Sequence, residues 1–278
     1  MLRVGAIGYG SRISSMIERM DPFDIPFRVA AIADPAAEEI RRKSTPRTEG
    51  CQYFTNVDEM LEKADPLDGI MIGSHCGSHT EHACKAARRN VPLFVEKPVS
   101  ITFEQLAQLH ATFKDYRPPV VISFPLRVSP ITRKVRELIE KDTIGRIDHA
   151  VAFNDVPYGR GYYESWYREM DQTGGLWMQK ATHDFDYLSY LTGQDPVGVF
   201  AMHNRRAYGG DKPNELRCSE CDESRTCPES TFNLFYERRK LPHAGSPHDR
   251  CVFSRDNNDQ DSGNAILVRV AGTASNRS

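Results

Sequence analysis

Short apolar runs alternate with amphipathic stretches along the chain as far as Pro125. RVGAIGYG reads as a buried strand ending in glycines, and Ser14 to Met20 as a helix. FRVAAIAD is a second strand that ends on a charge, with DPAAEEI opening a helix behind it. DEMLEKA (helix), GIMIGS (strand), EHACKAARRN (helix), PLFVEKP (strand), FEQLAQLHATF (helix) and PVVISFP (strand) continue the alternation. The strands are nearly all apolar rather than alternating, and a helix separates each from the next. Such a pattern predicts an α/β domain, a doubly wound parallel sheet with both faces covered.

Beyond Pro125 the texture changes. RKVRELIEKDTIG predicts an amphipathic helix closing on Gly145, and IDHAVAFNDV alternates like a strand of an antiparallel sheet. HDFDYLSYLTG predicts a helix with Phe185, Leu188 and Leu191 on its apolar face and Gly193 at its end. The boundary therefore falls at Phe124, dividing the chain into residues 1–123 and 124–278. The last stretch, NAILVRVAGTASNRS, has one strand-like run and then small polar residues. An antiparallel sheet would normally continue, so the expectation is a second domain cut short, with an unpaired edge.

Composition narrows the function classes. The 278 residues suit two domains, and Lys plus Arg (36) nearly balances Asp plus Glu (38), for a net charge of -2. That balance leaves no electrostatic footprint for nucleic acid or an anionic membrane. No apolar run approaches the ~18 residues of a membrane span. MLRVGAIGYG enters a strand at once, so no signal peptide is expected and the cytoplasm is the default location. Four of the seven cysteines (Cys218, Cys221, Cys227 and Cys251) fall in the second half, three of them as C-x2-C-x5-C. In a reducing compartment this suggests a structural zinc site before disulfides, with unpaired thiols or a redox disulfide as the alternatives.

Candidate chemistry gathers at the predicted strand ends. Gly8, Tyr9, Gly10, Ser11, Arg12 and Ile13 form a loop between a strand and a helix. There Gly8 permits a tight turn, Gly10 lets the backbone approach a pyrophosphate, and the helix N-terminus offers its amides. Ile13 stands where a third glycine would sit, which predicts a wider gap between helix and strand. Asp34 ends the second strand, where a carboxylate accepts hydrogen bonds from adenosine ribose hydroxyls and repels a 2′-phosphate. NAD is the expected cofactor; Arg12, Arg41 and Arg42 keep NADP open, and Asp34 also suits a helix N-cap. Ser74, His75 and His79 lie where the GIMIGS strand ends, at the edge of the sheet that receives ligands. A packed histidine at a helix start is the alternative for His79.

GYG, AIAD, SHTEHACKAARRNVPLFVEKP and GGLWMQKATHDFDYLSYLTG together resemble the Gfo/Idh/MocA oxidoreductases. The resemblance runs over most of the chain and is most specific where E-K-P meets the downstream G-G…H-D-x-D. It implies a Rossmann domain followed by an α+β domain on a large, mostly antiparallel open sheet. That sheet would form a sugar or polyol site and, if complete, a homo-oligomer interface. By the same resemblance Lys97 sits beside the nicotinamide and the reacting hydroxyl, Glu96 orients Lys97 or the cofactor, and Pro98 is a turn proline open to the cis form. Arg127, in FPLRVSP, faces cofactor and substrate, and His183 takes or relays the hydroxyl proton. Many family dehydrogenases carry Asp four residues before that histidine, on the same helical face. Gln179 stands there instead and cannot act as a base, and Lys180 follows it as a substitute polar group or a contact for an acidic sugar. Tyr163, Trp166 and Arg168 suit the outer contacts of a carbohydrate.

The implied activity is hydride transfer between NAD(P) and a hydroxyl-bearing carbon of a sugar, polyol or related substrate. An NAD-dependent glycosidase of the same fold and a non-catalytic nucleotide-binding protein are the alternatives.

Overall fold

The computed structural model describes residues 1–154, 161–203, 208–236, 251–252 and 264–270. It divides into two compact units, Met1–Ser123 and Phe124–Ser278. No helix among the described residues is long and apolar enough to cross a membrane.

Unit 1 is a six-stranded sheet in the order β3-β2-β1-β4-β5-β6. Its strands are β1 (Leu2–Ile7), β2 (Phe27–Ala33), β3 (Gln52–Phe54), β4 (Gly69–Ile72), β5 (Leu93–Glu96) and β6 (Val120–Ser123), and every pairing is parallel. Parallel neighbours need crossovers, supplied by α1 (Ser11–Glu18), α2 (Ala37–Arg42), α3 (Val57–Lys63), α4 (His79–Ala87) and α5 (Phe103–Phe113). Side chains alternate across the sheet, so the core has two halves. Ala6 and Ile32 pack with Ile13, Ile17, Phe27 and Val29 on one face. Ile7 and Ala33 pack with Met60, Ile70, Ile72, Ala83 and Val95 on the other. Each fully buried Ile contributes about 1.5–3 kcal/mol. Helix starts carry their own signals: the side chains of Asn56 and Thr102 cap α3 and α5 by accepting from Glu59 N and Gln105 N.

The strand order reverses at β1, where the chain moves from building outward to β3 to building outward to β6. A crevice forms at such a point, outside the carboxyl ends of the strands, and ligands bind there. Register brings those ends level. Ile7 pairs with both Ala33 and Ile72, and Ile72 pairs with Val95. Gly8, Asp34, Gly73 and Glu96 therefore occupy the next step on four adjacent strands.

Unit 2 begins with a 3-10 turn at Pro125–Val128 and continues as α6 (Pro130–Glu140), α7 (Gly161–Glu164), α8 (Met170–Thr173) and α9 (Thr182–Thr192). Strand β7 (Pro196–His203), helix α10 (Thr231–Tyr236) and strand β8 (Asn264–Val270) follow. Gly193 ends α9 in the left-handed region at φ 65°. α6 stops at Glu140, before Gly145, which turns the chain at φ 69° three residues after Asp142 does so at φ 56°. In the described part of IDHAVAFNDV, residues 147–154, there is no strand. Its alternation is present, yet no described strand pairs with it, and Phe153 is 94% exposed. β7 and β8 form a two-stranded antiparallel ladder, the sole antiparallel sheet among the described residues.

The zinc expectation is not supported. Among the described residues no three His, Cys, Asp or Glu side chains gather as a group able to hold a metal. Cys218 opens a 3-10 turn, and Cys221 follows it as an amide donor to the Cys218 carbonyl, so hydrogen bonds of the backbone shape this loop. Cys227 is likewise free, and Cys251 is buried beside Val252, its carbonyl accepting from Arg168.

Candidate active site

Gly8 turns the chain out of β1 at φ +77°, and a Cβ there would lie 2.5 Å from the backbone nitrogen of Ser74. Glycine is thus required twice, by conformation and by the approach of the β4 end. A Cβ on Gly10 would meet nothing within 4 Å, so the space over this residue is open. No side chain caps α1, and its first turn has no acidic residue. An uncapped eight-residue helix preceded by an open glycine is a suitable cradle for a pyrophosphate.

Ile13, in place of a third glycine, is wholly buried. The gap expected between α1 and the sheet is instead filled by complementarity. Gly73 lies directly beneath Ile13, and a Cβ at Gly73 would sit 2.2 Å from Ile13 Cγ1. The missing glycine of the loop is matched by a glycine at the end of β4.

Asp34 accepts backbone hydrogen bonds from Tyr9 N and Ala36 N, both at 2.8 Å, through its two carboxylate oxygens. It therefore ties the glycine loop to the start of α2. A carboxylate has about four lone-pair sites, so room for ribose hydroxyls remains. The tie and the ligand role are compatible.

At the end of β5, Glu96 is nearly buried and accepts from Arg12 Nε at 2.9 Å, while Arg12 is half exposed. Through Arg12 the Glu96 carboxylate reaches the glycine loop, the part of the sheet edge expected to hold the cofactor. Lys97 is half-buried, and the Lys97–Pro98 peptide is cis.

His79 opens α4 and is only 1% exposed. Its Nδ1 lies 2.7 Å from the Pro98 carbonyl oxygen and its Nε2 2.9 Å from that of Ser74. Of the two expectations for His79, a cofactor contact and a packed histidine at a helix start, its two backbone carbonyl contacts fit the second. Ser74 Oγ pairs with His82 Nδ1 at 2.8 Å, and Thr80 donates to the Val99 carbonyl at 2.8 Å. His82 and Thr80 were missed in the sequence, where they look like ordinary helix positions. Cys76 is buried, which pushes its thiol up, so it is not an activated nucleophile.

Burial lowers the pKa of both His79 and His82 below the usual 6.5; for His79 the two carbonyls oppose the shift. Unfolded histidines take up protons near pH 6.5, which the folded ones resist, so the unfolded state gains protons first. Stability contributed by these neutral rings is complete above about pH 6.5 and lost as pH falls below it. Thermal melts from pH 7.5 to 5 should show a falling Tm whose slope is shallower in His82→Gln. Equal slopes would remove His82 from the account.

In unit 2, α9 is entered through a π-helical turn at Trp177–Ala181. Such turns insert a residue into the helix and are frequent at functional sites. The i, i+4 spacing of Gln179 and His183 therefore crosses non-α geometry and does not by itself align them. Gln179 is buried, and Lys180 Nζ lies 4.9 Å from the Tyr162 ring centroid. His183 meets Phe124 edge to face at 6.1 Å. Arg127 forks onto Asp186, with Nε 3.0 and 2.9 Å from its two oxygens and a further contact from Nη2. Asp186 is 8% exposed, and the pair holds the Arg127 pKa above its usual value. The ion pair fixes the Pro125–Val128 turn against α9, one turn from His183.

The residues expected to form outer substrate contacts separate. Arg168 is wholly buried and donates to the carbonyls of Asn214 and Cys251 at 2.8 and 3.3 Å. Tyr163 is buried with Leu176 and Val252, against Tyr208. Both serve the interior of this unit. Trp166 stacks on Tyr167 at 4.1 Å and is partly exposed.

Comparisons with known proteins agree with this architecture. The family model described as an oxidoreductase family with an NAD-binding Rossmann fold matches residues 2–123, and the GFO/IDH/MocA C-terminal domain matches residues 132–226. Inositol 2-dehydrogenase of Rhizobium meliloti (strain 1021) is 26% identical, over 72% of this chain and 58% of that protein. The scyllo-inositol dehydrogenase of Lactobacillus casei, solved with NAD(H) and scyllo-inositol, has a TM-score of 0.62 at 21% identity, covering 75% of this chain and 61% of that one. The myo-inositol 2-dehydrogenase of Lactobacillus plantarum also gives 0.62, at 19% identity, over 73% and 59% of the two chains. Matches to the first curated relatives span 49 to 62% of their length. Both family models fall on the two units in chain order, and the chain belongs to the Gfo/Idh/MocA family of NAD-binding oxidoreductases.

Proposed function

We propose that the protein transfers a hydride between a nicotinamide cofactor and the carbinol carbon of a cyclic polyol, sugar or related substrate. The observation that supports this most is the level line of strand ends, with the open glycine loop, Asp34 and Lys97 on one edge of a parallel sheet. Gly8, Gly10 and the α1 amides would hold the pyrophosphate, and Asp34 the adenosine ribose. The bound nicotinamide supplies the hydride acceptor. Lys97 would hydrogen-bond the reacting hydroxyl and move its proton, and His183 is, by the family resemblance, the second candidate for proton transfer. Inositol is the first substrate to try, because the relatives named above are inositol dehydrogenases.

The test is to add NAD or NADP with a panel of inositols, sugars and polyols and follow reduced nicotinamide by absorbance. No turnover together with no cofactor binding by calorimetry sinks the proposal. Binding without turnover supports a second reading, a non-catalytic NAD-binding protein, which the neutral amide at Gln179 favours. Sugar release without net reduced nicotinamide identifies an NAD-dependent glycosidase.

Cofactor choice gives a separate prediction. Asp34→Ser removes the charge that repels a 2′-phosphate, so the ratio of NADP to NAD affinity should rise about tenfold or more, a change of about 1.4 kcal/mol per decade. An unchanged ratio, by calorimetry with each nucleotide, removes Asp34 from the ribose site.

A further inference from the structure

We propose that His79 is a positioning residue for Lys97, acting through the Pro98 carbonyl rather than touching any ligand; this rests on the reading that Lys97 handles the hydroxyl proton. The backbone on each side of Lys97 is fastened. On the N-terminal side Glu96 is paired with Ser123 in the sheet, and its side chain is held by Arg12 at 2.9 Å. On the C-terminal side the Pro98 and Val99 carbonyls face His79 Nδ1 at 2.7 Å and Thr80 Oγ1 at 2.8 Å, the first two residues of α4. Gln105 closes the frame, accepting from Ile101 N and donating to the Gly77 carbonyl, both at 2.8 Å. Lys97 has a long flexible side chain, so the reach of its amine depends on where this backbone is pinned.

The ring of His79 bridges two strand ends, because its other nitrogen faces Ser74, just past β4. A neutral imidazole has one N–H and can donate to one of the two carbonyls; an imidazolium donates to both. Glu96 and Lys97, from the end of β5, and His82, from α4, are the charged or titratable groups acting on it. The shorter contact runs to Pro98, the residue that follows Lys97. A ring that is 1% exposed has no surface to offer a cofactor, and its carbonyl partners leave it a structural task next to the reacting lysine.

The two nitrogens can be tested apart. The amide nitrogen of Asn reproduces the position of Nδ1 and that of Gln the position of Nε2. His79→Asn thus keeps a donor for Pro98, and His79→Gln keeps one for Ser74. Each loses one contact, so a merely structural role predicts similar falls in Tm and similar behaviour otherwise. Positioning through Pro98 predicts that His79→Gln lowers kcat by roughly ten- to a hundredfold while His79→Asn stays within about threefold. Cofactor affinity should be unchanged in both. A readout that needs no turnover is the rate of reductive methylation of Lys97, followed by peptide mass spectrometry, which should change in His79→Gln and not in His79→Asn. If Lys97 methylates alike in both variants, the positioning role is overturned, whatever the activity. If methylation separates them but Lys97→Met retains full turnover, positioning stands and the catalytic reading of Lys97 fails.

Discussion

Lys97→Met is expected to lower kcat by roughly 10²–10⁴ while nicotinamide cofactor binding persists, the range for removing a positioned proton-transfer group. The substitution keeps most of the side chain's length and apolar stem and deletes the amine. It touches neither the Arg12–Glu96 pair nor the His79–Pro98 contact, because both use atoms outside the Lys97 side chain. Folding and the cofactor cradle should therefore survive, and calorimetry with NAD should show an affinity close to that of the unaltered protein. Loss of kcat with KM little changed is the signature of an interaction made chiefly in the transition state. Wild-type turnover in the variant, with a substrate that the protein demonstrably uses, would end the assignment. Loss of NAD binding would instead make Lys97 a cofactor contact.

The parallel sheet was legible because buried strands flanked by amphipathic helices leave an unambiguous pattern, and β1, β2, β4, β5 and β6 all carry it. β3 escaped notice: Gln52–Phe54 is three residues long, too short for any period, and is defined by its pairing with the end of β2. Single residues whose role is set by their own type were also legible. The turn at Gly8 and the cap that Asp34 places at the start of α2 are read from what a glycine and a carboxylate do at a strand end, whereas the roles expected of Glu96, Lys97 and Pro98 rest on the family resemblance.

What the sequence hides is pairing at long separation. Glu96 lies 84 residues from Arg12, and Arg127 lies 59 from Asp186, so neither partner could be read from the local pattern. Arg168 shows the opposite error. An arginine among aromatics suits a carbohydrate site equally well as a buried donor to three backbone carbonyls, and only the fold distinguishes them. The zinc expectation is unsupported for a related reason: a C-x2-C spacing permits chelation, and among the described residues no group able to hold a metal comes together.

Gly73 and Ile13 are the clearest case of such hidden pairing, and they carry the second large effect. Gly73→Ala puts a Cβ 2.2 and 2.6 Å from the Cγ1 and Cδ1 atoms of Ile13. Ile13 is β-branched, stiff at χ1 and wholly buried, so it cannot swing aside. The expected cost is about 1–3 kcal/mol of stability, the usual price of overpacking. Ile13→Ala alone should cost about 2–5 kcal/mol, because it opens a cavity between α1 and the sheet. The double variant is where the argument bites. With Ile13 shortened, the new methyl at Gly73 enters the cavity instead of colliding, so Gly73→Ala should become neutral or stabilising in that background. Urea denaturation of the four proteins measures the coupling, expected at about 1–3 kcal/mol and favourable to the double variant. Additive losses would mean that the new methyl at Gly73 and the Ile13 side chain do not collide and that the glycine missing from the loop is not compensated at Gly73. A shift of α1 would also move the amides proposed for the pyrophosphate, so NAD affinity should fall in Gly73→Ala and recover with Ile13→Ala beside it.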